Sequence, residues 1–64
     1  MISNRDIYRA ASILVEGYGR VLAPGMAVRH SDALFLRGDV RGSLVWMNVF
    51  EAVQQLIPDR TRPG

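Results

Sequence analysis

The stretch LFLRGDVRGSLVW, residues 34–46, decides how this chain folds. Gly38 follows an apolar segment and fits the positive-φ conformation that commonly ends a helix. Asp39 can then accept a hydrogen bond from the free backbone N–H groups of the next helical turn, at the positive end of the helix dipole. Arg37 adds a cation to the last turn of the preceding helix, where the dipole favours positive charge. The pattern predicts that one helix ends and the next begins here.

The same residues, 37–39, spell the Arg-Gly-Asp tripeptide that cell-adhesion receptors read. An adhesion function requires an extracellular protein with a protruding loop, and the sequence indicates neither a secretion signal nor such a loop. We therefore interpret these three residues as helix capping.

The strongest periodic signal follows this junction and predicts a helix over residues 40–57. Pro58 cannot continue that helix, so residues 58–64 are predicted to form a polar tail. Trp46 is expected to fill the centre of the fold near Tyr8 or Tyr18, rather than to serve as a stacking platform for a ligand. The apolar face consists of Val45, Trp46, Val49, Ala52, Val53, Leu56 and Ile57, with Phe50 on its edge.

Two further helices are predicted before the junction. The first covers about residues 4–18, with Ser3 as its cap, Asp6 at the third helical position and Gly19 at its end. Pro24 suits the first turn of the second helix, over about residues 24–37. The predicted apolar faces are Ile7, Ala11, Leu14 and Tyr18, beside Ala10 and Val15, in the first helix, and Ala27, Val28, Ser31, Leu34 and Phe35 in the second.

The predicted fold is all-α, a small antiparallel three-helix bundle with short turns, formed by residues 1–57. A chain of 64 residues makes one domain with a thin core, which natural proteins usually supplement with disulfides, a metal or a partner chain. The absence of cysteine excludes disulfides and zinc-thiolate sites. Good helix packing or self-association is then expected to stabilise the domain.

Charge and hydropathy exclude several classes of partner. All eight basic residues are arginine and the net charge is only +2, with no basic cluster that would neutralise several phosphates at once. The sequence contains no uninterrupted apolar run of the ~20 residues that a membrane span needs. Charges occupy the N-terminal segment where a signal peptide would be apolar. We therefore predict a cytoplasmic protein.

Three segments carry a resemblance to a known group of proteins: HSDAL at 30–34, GDVRGSLVW at 38–46 and EAVQQL at 51–56. Together with the first helix they resemble a group of short bacterial, mainly alphaproteobacterial proteins of unknown function. Those proteins have an early Tyr-containing helix, an RAD-x-L segment, GD-x-x-G-x-x-VW and an AV-x-x-L ending. His30 and Ser31 depart from the usual Arg-Ala. The resemblance implies a small helical fold in a bacterial cytoplasm, and it implies no activity.

No constellation in the sequence predicts chemistry. His30 is expected to be a surface or boundary imidazole rather than a metal ligand or general base. The acidic residues fall on different predicted elements, and Asp6 and Asp39 already have capping roles. Gly42 weakens a helix, so we expect it to permit the close approach of a neighbouring helix or of the surroundings of Trp46. We predict no enzyme, cofactor, metal or small-molecule site, because no nucleophile is paired with a base.

A second set of apolar residues points away from the predicted core and suggests a contact surface. We predict a protein–protein interaction module, either a homo-oligomer, most simply a homodimer, or a small adaptor that binds a protein partner. The candidate residues are Met26, Leu36, Arg37, Val40, Arg41, Leu44 and Met47.

The alternative function is nucleic-acid binding by a regulator that resembles a helix-turn-helix protein. Arg29, Arg37 and Arg41 could contact phosphates. A recognition helix exposes polar side chains to base edges, however, and the helix over 40–57 offers few. Its polar set is Ser43, Asn48, Glu51 and Gln54, one of them acidic.

Overall fold

A computed structural model describes residues 3–57 and contains two helices, α1 (Asn4–Leu36) and α2 (Val40–Leu56). The helices pack against each other as a helical hairpin. The predicted all-α class is confirmed, whereas the prediction of three separate helices is wrong. The predicted tail, residues 58–64, lies outside the described residues.

The difference arises at Gly19, where α1 bends without leaving the helical state for more than one residue. Gly19 has φ 84° and ψ 172°, whereas the residues on both sides are helical. Pro24 therefore lies inside α1 rather than in the first turn of a separate helix. A straight helix of 33 residues would be about 50 Å long. The longest dimension of the molecule is 42 Å, so the bend is substantial.

The bend allows both halves of α1 to contact α2. The Tyr8 hydroxyl donates a hydrogen bond to the Gln55 side-chain oxygen, and Ser31 bonds to Ser43. Along a straight helix residues 8 and 31 would lie about 35 Å apart, whereas residues 43 and 55 of α2 are separated by about 18 Å. The change of direction at Gly19 brings residues 8 and 31 closer together, so that their separation approaches that of residues 43 and 55 in α2.

The core lies where the two halves of α1 meet α2, and its side chains are small. Val49 and Val53 are the largest fully buried residues. Partly buried side chains, among them Ile7, Ala10, Val15 and Phe50, pack around this centre. Small side chains let helix axes approach closely but remove little apolar area from water. The buried apolar residues are Ala11, Leu14, Ala23, Ala27, Val49, Ala52 and Val53.

Three residues predicted to face the core are exposed instead: Tyr18, Phe35 and Leu56. Tyr18 precedes the bend, where the direction of the helix changes. Phe35 continues the four-residue spacing of Ala27 and Ser31, but each such step rotates the side chain by about 40° around an α-helix. By residue 35 the stripe has turned away from α2.

The first helix begins as predicted, at a reciprocal cap. The Asp6 backbone N–H donates to the Ser3 hydroxyl at 3.3 Å, and the Ser3 N–H donates to the Asp6 carboxylate at 3.4 Å. Two backbone donors that the first helical turn leaves free are thereby satisfied.

The turn between the helices confirms the roles predicted for Gly38 and Asp39, whereas Arg37 is the C-cap of α1 and not a residue of its last turn. Gly38 has φ 87°, and its N–H donates to the Phe35 carbonyl at 3.0 Å. The Asp39 N–H donates to the Leu34 carbonyl at 2.8 Å, which completes a Schellman motif. The Asp39 carboxylate accepts a hydrogen bond of 2.9 Å from the Gly42 N–H and so caps α2.

Gly42 has a different role from the predicted one. A Cβ atom at this position would collide with the Asp39 carboxylate, and the three nearest heavy atoms all belong to that side chain. The absent side chain therefore makes room for the cap of its own helix, rather than for a neighbouring helix or for Trp46.

Two serines form the polar contact inside the hairpin. The Ser31 hydroxyl donates to the Ser43 carbonyl at 2.9 Å, and the two hydroxyl oxygens are 2.8 Å apart. Since Ser31 has one proton to donate, the Ser43 hydroxyl donates to Ser31. Every buried side-chain nitrogen or oxygen among residues 3–57 has a hydrogen-bond partner. The pair fixes the position of α2 along the axis of the second half of α1.

We expect Gly19→Ala to lower the free energy of unfolding by about 1–3 kcal/mol, because the Gly19 backbone lies in a region that other residues avoid. An added methyl group would meet no atom within 4 Å, so the cost is conformational. Gly17→Ala is the matched control: the site is equally open and helical, and the change should stabilise the protein by roughly 0.5–1 kcal/mol. Urea denaturation measures both. A stabilising Gly19→Ala would contradict the bend.

We expect Ser31→Ala to cost about 1–3 kcal/mol of stability, because it leaves the buried Ser43 hydroxyl without its partner. Ser43→Ala should cost less, since the Ser31 hydroxyl keeps the Ser43 carbonyl as an acceptor. Thermal denaturation of both variants and of the double variant gives the coupling free energy. Equal and additive losses would show that the hydroxyl–hydroxyl contact contributes nothing specific.

Candidate interaction surface

An apolar strip runs along the outward side of α2. It consists of Val40, Leu44 and Met47, which recur at intervals of four and three residues and therefore share one helical face. All three are exposed, Leu44 to 59% of its surface. At 100° per residue this face is opposite Val49, which is buried in the core. One helix thus presents an apolar face to α1 and another to solvent.

The strip continues at the turn that joins the helices. Leu36 is the last residue of α1 and is 84% exposed, and Val40 opens α2 on the other side of the turn. Arg37 and Arg41 are exposed beside them. The predicted residues Leu36, Val40, Leu44 and Met47 are therefore exposed, as are Arg37 and Arg41, whereas their role as a contact surface stays a prediction.

Met26 and Phe35 differ in exposure from what the sequence predicted. Met26, predicted to point away from the core, is half-buried and packs against it. Phe35, predicted as a core residue, is 61% exposed next to Leu36. Its side chain enlarges the apolar area at the turn. The rotation of about 40° at each four-residue step along α1 could have predicted that Phe35 is exposed.

Trp46 is half-buried and packs against the core from the side of α2, so the predicted core contact is present, but the ring does not fill the centre of the fold. Its ring stacks on His30, with the ring centroids 4.3 Å apart and the planes at 18°. The contact follows from the antiparallel packing that sets Ser31 against Ser43. His30 is exposed, as predicted, but it shields one face of the indole. The periodicity of the sequence does not predict a stacked pair between His30 and Trp46, because the two residues lie on different helices.

Two surface depressions lie outside the strip. The first, of about 280 Å³, adjoins the His30 ring. The second, of about 200 Å³, lies between the start of α1 and the end of α2. Their linings are Met26, Arg29, His30 and Ala33 in the first, and Asn4, Ile7, Tyr8, Asn48, Glu51, Ala52 and Gln55 in the second.

Residues 3–57 contain no group of three or more His, Cys, Asp or Glu side chains arranged to hold a metal ion. In the same range, no helix combines the length and the apolar character that crossing a bilayer requires.

The chain matches no protein-family model, and searches of curated proteins and of solved structures found no significant match. The resemblance of residues 30–56 to short bacterial proteins therefore stays a prediction.

We expect His30→Ala to uncover one face of the Trp46 ring and so to shift its fluorescence emission to longer wavelength. Trp46 is the single tryptophan, so the signal reports on this site alone. Loss of the stack should also cost about 0.5–1.5 kcal/mol of stability. Arg29→Ala is the control, because Arg29 is an exposed neighbour on the same helix. Identical spectra for the native protein and His30→Ala would contradict the stacked geometry.

Proposed function

We propose that this protein is a protein–protein interaction module that acts most simply as a homodimer, with the apolar strip and the exposed residues of the turn as its contact surface. The single observation that carries the proposal is the imbalance between a small-residue core and a large apolar exterior. Within residues 3–57, eleven large apolar side chains are exposed, whereas only Leu14, Val49 and Val53 are buried.

The energetic consequence of that imbalance favours a partner. Four of the seven buried apolar residues are alanines, which remove little area from water. A single core in a chain of this size rarely supplies more than roughly 3–5 kcal/mol, and association is one of the usual supplements. The chain has no cysteine to supply a disulfide instead. Packing the exposed apolar side chains against a partner would therefore add the buried apolar area that the core lacks.

The position of the strip also favours association. Isolated exposed apolar residues are normal on soluble proteins and need no partner. Val40, Leu44 and Met47 are not isolated, because they follow one another on the same face of α2. Arg37 and Arg41 at one end of the strip provide a polar rim. An apolar centre with a charged border is the usual composition of a protein interface.

The nucleic-acid alternative has less support. Ser43, one of the few polar residues that a recognition helix could use, is buried against Ser31. The outward face of α2 carries apolar side chains and the acidic Glu51. Such a face offers few groups for hydrogen bonds to base edges. Retarded migration of a generic DNA duplex at low salt would revive this alternative.

We expect the native protein to sediment as a dimer at high concentration and to dissociate on dilution. Leu44→Asp should raise the dissociation constant at least about tenfold, because the interface would bury an unpaired carboxylate. Sedimentation velocity at protein concentrations from micromolar to roughly 0.5 mM covers the dissociation constants that we expect, since small interfaces give weak affinity.

Ile13→Asp is the matched control for this experiment. Ile13 is 62% exposed, much like Leu44, but it lies on α1 and outside the strip. The substitution introduces the same charge and should leave the dissociation constant unchanged. A native protein that stays monomeric throughout the range would overturn the homodimer. Equal weakening by both substitutions would indicate a non-specific effect of charge.

A further inference from the structure

We infer that two copies of the chain pair through α2 in an antiparallel, two-fold symmetric register, in which Leu44 of each protomer faces the partner's Met47 and Glu51 approaches the partner's Arg41. This inference rests on the proposed function and specifies the geometry of the same surface.

The spacing of the outward face of α2 supports helix-to-helix pairing. Val40, Leu44, Met47 and Glu51 are separated by four, three and four residues, an average of about 3.7, which is close to the 3.6-residue period of an α-helix. Such spacing keeps these side chains in one narrow seam along a straight helix, where a short partner helix can pack against them. The opposite face of α2 is already occupied by α1. The occupant of the seam is therefore expected to be a helix of matching pattern, and a second copy of α2 supplies one.

The distribution of charge along the seam selects the direction of pairing. Arg41 lies near the N-terminal end of α2 and Glu51 near its C-terminal end, and both are exposed. In a parallel pair each residue would face its own copy, so Arg41 would oppose Arg41 and Glu51 would oppose Glu51. Like charges across an interface are unfavourable. An antiparallel pair places each arginine near a glutamate instead, twice over by symmetry.

The antiparallel register also aligns the apolar residues. With the two-fold axis between residues 45 and 46, Leu44 meets the partner's Met47, and Val40 meets the aliphatic stem of the partner's Glu51. The apolar layers then lie at the centre of the contact and the charged pairs at its two ends. A surface that is complementary to itself in this way closes as a dimer and leaves no free copy of the seam.

Charge exchange tests the register. We expect Arg41→Glu and Glu51→Arg each to raise the dimer dissociation constant at least about tenfold, since either change opposes like charges at both ends. The double variant R41E/E51R should return to within about threefold of the native value, because its opposite charges meet again. Arg9→Glu, an exposed change of the same charge on α1, is the control and should have no effect. Circular dichroism verifies that each variant is helical.

Cysteine pairing provides an independent measurement. Because the chain contains no cysteine, Leu44→Cys and Met47→Cys each introduce a single thiol. A disulfide needs its Cα atoms within about 7 Å. In the antiparallel register an oxidised mixture of the two variants should yield more covalent dimer than either variant alone. A parallel pair would instead link each variant to itself.

The outcomes separate the inference from the proposed function. A native dimer whose charge-exchanged double variant stays weak, or whose single-cysteine variants link only to themselves, would overturn the antiparallel register and leave the homodimer standing. A strictly monomeric native protein would overturn both. Restored affinity in R41E/E51R together with preferential linkage in the mixture supports the register.

Discussion

The backbone of Gly19 is the constraint on which the remaining structure depends. Because its conformation is one that residues with a Cβ atom avoid, the chain can change direction there without an intervening loop. Ala11 and Leu14 precede the bend and Ala23 and Ala27 follow it, yet all four share one core with α2. A straight α1 would be too long for both halves to reach the 17 residues of α2.

The identity of the core residues then determines what remains outside. Alanines and the hydrogen-bonded serines Ser31 and Ser43 bring the helices close together, and within residues 3–57 few large side chains are fully buried between them. Leucine, methionine and phenylalanine side chains consequently lie on the exterior around the turn and along α2. The core and the candidate interaction surface are two results of the same packing.

The junction at residues 37–39 shows the opposite case, in which local sequence is sufficient. Gly38 adopts positive φ, Asp39 caps α2 and Ser3 caps α1, each as predicted. These contacts span only a few residues, so no knowledge of the rest of the chain is needed. In the Arg-Gly-Asp tripeptide, the Asp39 carboxylate accepts a hydrogen bond from the Gly42 N–H and so serves as a helix cap. Glycine weakens a helix, but at position 42 the missing Cβ atom avoids a collision with the Asp39 carboxylate.

The sequence by itself determined the all-α class, both helix starts, the turn, and the outward side of α2 with Val40, Leu44 and Met47. Each follows from capping chemistry or from the 3.6-residue period, which act within a single helix. Only the tertiary structure decided that the predicted helices before the junction form one bent element. It also decided that Met26 packs inward and that His30 covers Trp46. Those outcomes depend on how one helix is rotated and placed against another, which no local pattern encodes.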